Sequence, residues 1–214
     1  MKSSRILLSR DEVLNRVEAM LEKKENGKII ITGPAGVGKS ALMAHIFERI
    51  SQRTDVVLVP YFFTTSRGRR DLGTALRFII TKLYLSTLNK PIEGSILSMN
   101  NRTLADVLAG MLTKQPPKKV VILIDALDEA DAKELGEVGY PFLSELPKNV
   151  YLIISVRGDS NNPQIPGTSD MIGDWKKGAE IIQLENLGFN SVTSLVRKML
   201  EVSGDELEKF STAI

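Results

Sequence analysis

The chain has 214 residues, 43% apolar and 25% charged, a mixture that supplies a globular core and excludes disordered, collagen-like and mucin-like sequence. Lys and Arg number 28 against 26 Asp and Glu, so the formal charge is only +2 and lacks the basic footprint of a dedicated nucleic-acid binder. Cysteine is absent, which removes disulfides, thiolate zinc sites and a cysteine nucleophile, and the single His45 argues against a His-rich metal site or a Ser–His–Asp hydrolase. Met1–Arg10 holds only Ile6-Leu7-Leu8 as an apolar run, too short for a signal-peptide core. Val120–Ile124 and Val150–Ile154 are strand-sized rather than membrane-sized, so a soluble, cytoplasmic protein is expected.

Ser9-Arg10-Asp11-Glu12 reads as a capping box, and Val13, Leu14, Val17, Met20 and Leu21 recur at helical spacing until Asn26-Gly27. Lys28–Thr32 is a β-branched strand running into a glycine-rich turn. A helix over about Gly38–Gln52 carries Leu42, Met43, Ile46 and Ile50 on one face, with His45 flanking it as a border packing residue. Asp55–Phe63 reads as a strand, Thr64–Arg70 as a polar loop, Leu72–Leu88 as a helix, Asn89–Asn100 as a loop and Thr103–Thr113 as a helix stopped by Pro116-Pro117. Lys119–Ile124 and Asn149–Ser155 are near-continuous apolar runs of the kind found in strands covered on both faces. A helix over Ala132–Leu146 separates them. Gly158–Gly178 reads as a long loop in which Trp175 suggests no chemistry, Ala179–Leu184 as a fifth strand, and Asn190–Ile214 as one or two helices. Strands alternating with helices predict a parallel sheet between helical layers, a host for many functions, so the site must decide.

Gly33-Pro34-Ala35-Gly36-Val37-Gly38-Lys39-Ser40 fits the phosphate-binding loop (P-loop, or Walker A) with the required strand before it and helix after it. The glycines let backbone N–H groups approach phosphate oxygens, and the helix N-terminus adds a favourable dipole. The expected nucleotide-binding stretch is Gly33 through Lys39, with Ser40 and Ala41. Lys39 would neutralise β- and γ-phosphate oxygens and the Ser40 hydroxyl would ligate Mg²⁺. The alternative is a glycine-rich turn kept for packing, which does not call for a Lys-Ser pair.

Mg·nucleotide also needs a carboxylate at the end of a central strand, and Val120–Asp125 supplies five apolar residues followed by an acid (Walker B). Asp125 is the expected Mg²⁺ ligand, although an Asp there also serves as a helix N-cap. Asp128 and Glu129 add two acids, either of which can orient or deprotonate the attacking water; acids are common at helix starts as well. Arg157, just past the next apolar strand, can reach a γ-phosphate, or can be an exposed loop arginine. Arg67, Arg69 and Arg70 read as a solvated basic loop, with an arginine finger toward a neighbouring copy as the other possibility.

Together these residues resemble the signal-transduction ATPases with numerous domains (STAND) and, within them, the NACHT group. Ile122-Leu-Ile-Asp-Ala-Leu-Asp-Glu129 is similar to the NACHT Walker B form, in which a tiny residue follows the metal-binding Asp and an acidic pair stands three positions on. Ile29–Ser40 resembles the Walker A segment, Ile153–Arg157 the sensor 1 strand, Val59–Phe63 the second strand, and Leu7-Leu8-Ser9-Arg10 the N-terminal element bordering adenine, with Ser9 where the family has glycine. The resemblance implies a three-layer α/β/α core with sheet order 5-1-4-3-2 over residues 1–187, and the start of a helical lid over 188–214. It also implies Mg²⁺ and ATP or ADP as cofactors, Arg10 as an adenine-side residue, Arg157 as a γ-phosphate sensor, and a slow ATPase that works as a signalling switch with ATP-dependent self-association. Other protein domains would be its partners, and membranes and nucleic acid would not. A nucleotide-holding module with negligible hydrolysis and an AAA+ or archaeal-type ATPase are the other readings; Ala126, where many AAA+ proteins place Glu, weighs against the latter.

Overall fold

The computed structural model describes residues 10–65, 69–88, 92–114, 116–138, 145–166 and 176–185. Five parallel strands, β1 (Gly27–Thr32), β2 (Val56–Phe62), β3 (Lys119–Asp125), β4 (Val150–Val156) and β5 (Ala179–Gln183), form one sheet in the order β2-β3-β4-β1-β5. Read from its other edge, this is the expected 5-1-4-3-2. The helices are α1 (Arg10–Lys23), α2 (Lys39–Ser51), α3 (Leu72–Leu83), α4 (Gly94–Leu97), α5 (Asn101–Thr113) and α6 (Ala132–Val138).

The absence of hydropathy alternation in the central strands follows from two cores, one on each sheet face. Ile30, Ile122, Ile124, Leu152 and Ile154 point into the core built with Leu76, Ile79 and Ile80 of α3 and with Leu104 and Leu108 of α5. Ile29, Ile31, Val121, Leu123, Tyr151 and Ile153 point the other way, against Val17 and Leu21 of α1 and Leu42, Met43 and Ile46 of α2. Consecutive side chains of a strand face opposite sides, so a strand roofed on both must be apolar throughout. The outer strand β2 is buried at Val57, Val59 and Tyr61 and only half-buried at Val56, Leu58 and Pro60.

Several boundaries differ from expectation. The helix expected over Leu72–Leu88 is α-helical to Leu83 and continues as one π-helical segment, Tyr84–Leu88. Within the expected loop Asn89–Asn100 lies the short α4. α5 starts two residues early because the Asn100 side chain accepts the Thr103 N–H at 2.9 Å as an N-cap. The helix expected to reach Leu146 is helical over Ala132–Val138, and Glu145 and Leu146 are not helical. His45 is exposed rather than packed at a border. Ser9, Arg67, Trp175 and the expected helices and lid after residue 188 lie outside the described residues. No helix among the described residues is long and apolar enough to cross a membrane.

At the other end of the sheet, Asp55 ties the starts of β2 and β3 together. Its carboxylate accepts from Arg53 Nε and Nη2 at 3.1 and 3.0 Å and from Lys119 Nζ at 3.2 Å. These hydrogen bonds, that from Arg53 first, hold its pKa down to about 2 against an ordinary 3.8. A carboxyl depressed on folding stabilises above its unfolded pKa and loses that contribution as pH falls through the folded one. The pair is solvent-exposed and worth under about 1 kcal/mol. Asp55→Asn is therefore expected to lower the denaturation midpoint slightly at neutral pH, with the two proteins converging between about pH 4 and pH 2; urea titrations across that range check it.

Candidate functional site at the C-terminal edge of the sheet

All five strands run the same way, so the segments leaving β1, β3 and β4 emerge at one edge. The segment after β1 is the glycine-rich loop. Pro34, Ala35 and Gly36 are exposed and Val37 is buried as the loop's anchor in the α1–α2 core. Gly38 has φ +96°, a left-handed conformation costly for other residues, and a Cβ on it would lie 2.7 Å from Arg10 Nη2. Arg10, at the start of α1, donates to the Val37 carbonyl at 2.9 Å, so its guanidinium lies against this loop. Lys39 opens α2 and its ammonium donates back to the Gly33 and Pro34 carbonyls at 2.7 and 2.8 Å. Ser40 and Ala41, in the same first turn, are exposed.

β3 ends on Asp125, only 5% exposed, and Ala126 then takes a left-handed conformation, φ 53° and ψ 46°. This turns the chain into a 3₁₀ segment, Leu127–Glu129, that carries both further acids. A small side chain after the aspartate suits that turn, because left-handed backbone penalises bulk at Cβ. Ser155, at the end of β4, donates its hydroxyl proton to Asp125 Oδ1 and accepts the Ala126 N–H at 2.9 Å.

Arg157 is bound to the acidic pair. Its Nε lies 3.0 Å from Asp128 Oδ2, its backbone N–H donates to Asp128 Oδ1 at 3.1 Å, and its Nη2 donates to Glu129 Oε1 at 3.1 Å. Glu129 Oε2 also accepts the Thr65 N–H at 3.0 Å, and Arg70 Nε donates to the Glu129 carbonyl at 3.1 Å. Arg70 thus braces the acidic turn from the loop after β2, where a freely solvated side chain was expected. Sequence reasoning missed Ser155 and Thr65 and gave Arg70 other roles; only the hydroxyl of Ser155 within a fully buried apolar strand gave a signal.

Charge couples these groups across strands. Burial lowers the Lys39 pKa, while Asp128 and Asp125 act to raise it and Arg157 to lower it. Burial likewise raises the Asp128 pKa, opposed chiefly by its hydrogen bond from the Arg157 N–H and by the Arg157 charge. Lys39, Asp125, Asp128 and Arg157 therefore share one electrostatic neighbourhood, and Arg10 and Val37 adjoin it through the loop.

Among the described residues no three His, Cys, Asp or Glu side chains gather around a possible metal position. The available donors are hard oxygens: the Asp125 carboxylate, with Oδ1 engaged by Ser155, and the Ser40 hydroxyl. That set fits Mg²⁺, which takes one or two protein oxygens and completes its shell with phosphate and water.

The profile of the Nephrocystin 3, N-terminal family matches residues 7–157, from just before α1 through Arg157. The chain belongs to that family. The chain is also 26% identical over 189 residues to telomerase protein component 1 of Mus musculus, covering 84% of itself and 7% of that much longer relative. Among solved structures it is similar to Cdc6p from Pyrobaculum aerophilum (TM-score 0.58, 14% identity, 94% of this chain and 52% of that one). It is similar too to domain III of the Thermotoga maritima replication initiation protein DnaA (TM-score 0.54, 16% identity, 93% and 72%) and to a DNA replication initiation factor (TM-score 0.52, 11% identity, 92% and 53%). At these identities the likeness carries the fold: a three-layer α/β/α P-loop domain.

The loop's glycines differ in what they tolerate. A Cβ on Gly33 would sit 2.8 Å from the Leu184 carbonyl oxygen and 2.9 Å from Val37 Cγ1, whereas around Gly36 (φ +77°) nothing lies within 4 Å. Gly33→Ala is expected to destabilise by about 2–4 kcal/mol, overpacking being added to the strain of a side chain at its φ of +157°. Gly36→Ala should cost about 1 kcal/mol through backbone strain alone. Chemical denaturation of the two variants tests the difference, and equal losses would contradict the packing argument.

Proposed function

We propose that this chain binds Mg·ATP and hydrolyses it slowly, as the nucleotide-controlled switch core of a NACHT- or STAND-type signalling protein. The observation carrying this reading is the convergence of Lys39, Asp125, Asp128 and Arg157 beside the glycine-rich loop. In this reading residues 1–187 form the nucleotide-binding core and 188–214 begin a helical lid. Gly33, Pro34, Ala35, Gly36, Val37, Gly38 and Ala41 line the phosphates and Arg10 borders the nucleotide through its hold on Val37. The family resemblance adds a closed ADP state, ATP-dependent self-association and a cytoplasmic location.

The chain's own residues then divide the work. Lys39 leaves the Gly33 and Pro34 carbonyls for β- and γ-phosphate oxygens, a compact charge exchanged from one set of oxygens to another. Asp125 and Ser40 hold Mg²⁺, whose contribution when bound is to neutralise phosphate charge. Arg157 turns from the acids to the γ-phosphate, and its departure frees Asp128 or Glu129 to position water.

The same ion pairs favour a second reading: with Asp128 and Glu129 both held by Arg157, a chain that kept this arrangement would bind nucleotide and turn it over negligibly. An AAA+-type ATPase is compatible with the fold, and two of the structural neighbours, DnaA and the DNA replication initiation factor, are replication initiation proteins. The near-neutral charge and Ala126 give that reading less support here.

Lys39→Ala is expected to abolish nucleotide binding, read by equilibrium dialysis with labelled ATP; retained wild-type affinity contradicts the phosphate assignment. Asp128→Asn and Glu129→Gln should keep Mg·ATP binding, and the one that positions water should slow single-turnover hydrolysis by about 100-fold or more. Undiminished rates in both exclude the water-positioning role, and a wild type that binds ATP without turnover selects the second reading.

A further inference from the structure

Ser155 is the exception in β4. The strand reads Val150-Tyr-Leu-Ile-Ile-Ser-Val156 and every position is buried, Ser155 completely. A hydroxyl moved into such surroundings without partners costs about 1–3 kcal/mol, so its hydrogen bonds need an account. Packing gives none, since Ala or Val would fill an apolar strand equally well.

The partners fix which way the hydroxyl points. The Ala126 N–H can only donate, so Ser155 Oγ must accept it, at 2.9 Å. The Asp125 carboxylate can only accept, so the single hydroxyl proton goes to Oδ1. One side chain from β4 thus sets the rotation of the acid ending β3 and fixes the backbone of the left-handed residue that follows. With Oδ1 held by the hydroxyl, Oδ2 is the oxygen available to a cation. Two residues further on, the same segment delivers Arg157 to the acidic pair.

We propose that Ser155 is a positioning residue for Mg²⁺: it acts through Asp125, presenting one carboxylate oxygen to a cation shared with the nucleotide, and makes no contact with the nucleotide itself. This rests on the reading of Asp125 as the Mg²⁺ carboxylate. Groups that orient a metal ligand from behind govern metal affinity nearly as strongly as the ligands do.

The test follows binding of fluorescent N-methylanthraniloyl-ATP to the 214-residue chain, in EDTA and across a MgCl₂ titration. Ser155→Ala is expected to leave the affinity in EDTA within about twofold while raising the Mg²⁺ concentration needed for half-maximal enhancement about tenfold. Should that variant unfold, Ser155→Thr and Ser155→Val make the same comparison at matched shape: Thr should keep the Mg²⁺ response and Val lose it. A Mg²⁺ titration of Ser155→Ala or Ser155→Val that superimposes on wild type overturns the proposal, as does an equal loss of affinity in EDTA and in Mg²⁺. Asp125→Asn separates the layers. If it too leaves the Mg²⁺ response unchanged, the metal assignment fails and the proposal with it; if it abolishes the response while the Ser155 variants do not, only the role of Ser155 is lost. A wild type that does not bind the probe removes the nucleotide reading altogether.

Discussion

A parallel sheet buried on both faces is the constraint behind everything else in this molecule. Strands running one way must return through helices, and those helices cover both faces and drive the central strands to be apolar along their whole length. The same polarity gathers the loops after β1, β3 and β4 at one edge. Neighbouring strands lie about 4.8 Å apart, so residues at the tips of β1, β4 and β3 come within reach of one another although they stand far apart along the chain. The place of the candidate site thus follows from chain direction before any side chain is chosen, and the side chains then give it charge.

Two cations of the site, Lys39 and Arg157, are already occupied by the protein's own oxygens. Lys39 rests on two carbonyls of its loop, and Arg157 on two carboxylates. Neither charge is left facing a low-dielectric surface alone, which would be costly. A ligand bringing phosphate oxygens exchanges one set of contacts for another, so its net gain is smaller than the count of new hydrogen bonds suggests. Under the proposed function, the carboxylates released in that exchange would be the groups left to act on water, and occupancy by a third phosphate and readiness of the acids would be linked through one guanidinium.

Much of this was legible in the sequence. The apolar run ending in Asp125 announced a doubly covered strand, and the glycine spacing before Lys39-Ser40 placed the loop. The strand order also agreed with the order implied by the family resemblance. What escaped were features set by tertiary partners. Asn100 caps α5 through its own side chain, a local signal that was present but overlooked. Arg70 looked like one solvated arginine among three because its acceptor, the Glu129 carbonyl, is 59 positions away. The pairing of Arg157 with Asp128 and Glu129 was equally invisible: spacing shows that three charges sit at neighbouring strand tips, and only coordinates show which touch. Ala126 lies between these cases. Its smallness was noted as part of a motif, while the left-handed turn explains it.

Pro60 has a consequence of its own. It lies in β2, the outermost strand on its side, whose far edge has no neighbour in the sheet among the described residues. A strand edge is an invitation to another strand, and proline withdraws one of the donors such a guest would need. Oligomers of this domain, if they assemble, are thereby steered away from extending the sheet from molecule to molecule and toward contacts that leave each sheet its own. A continuous intermolecular sheet is among the hardest assemblies to undo, so this edge is protected from the association that would be least reversible.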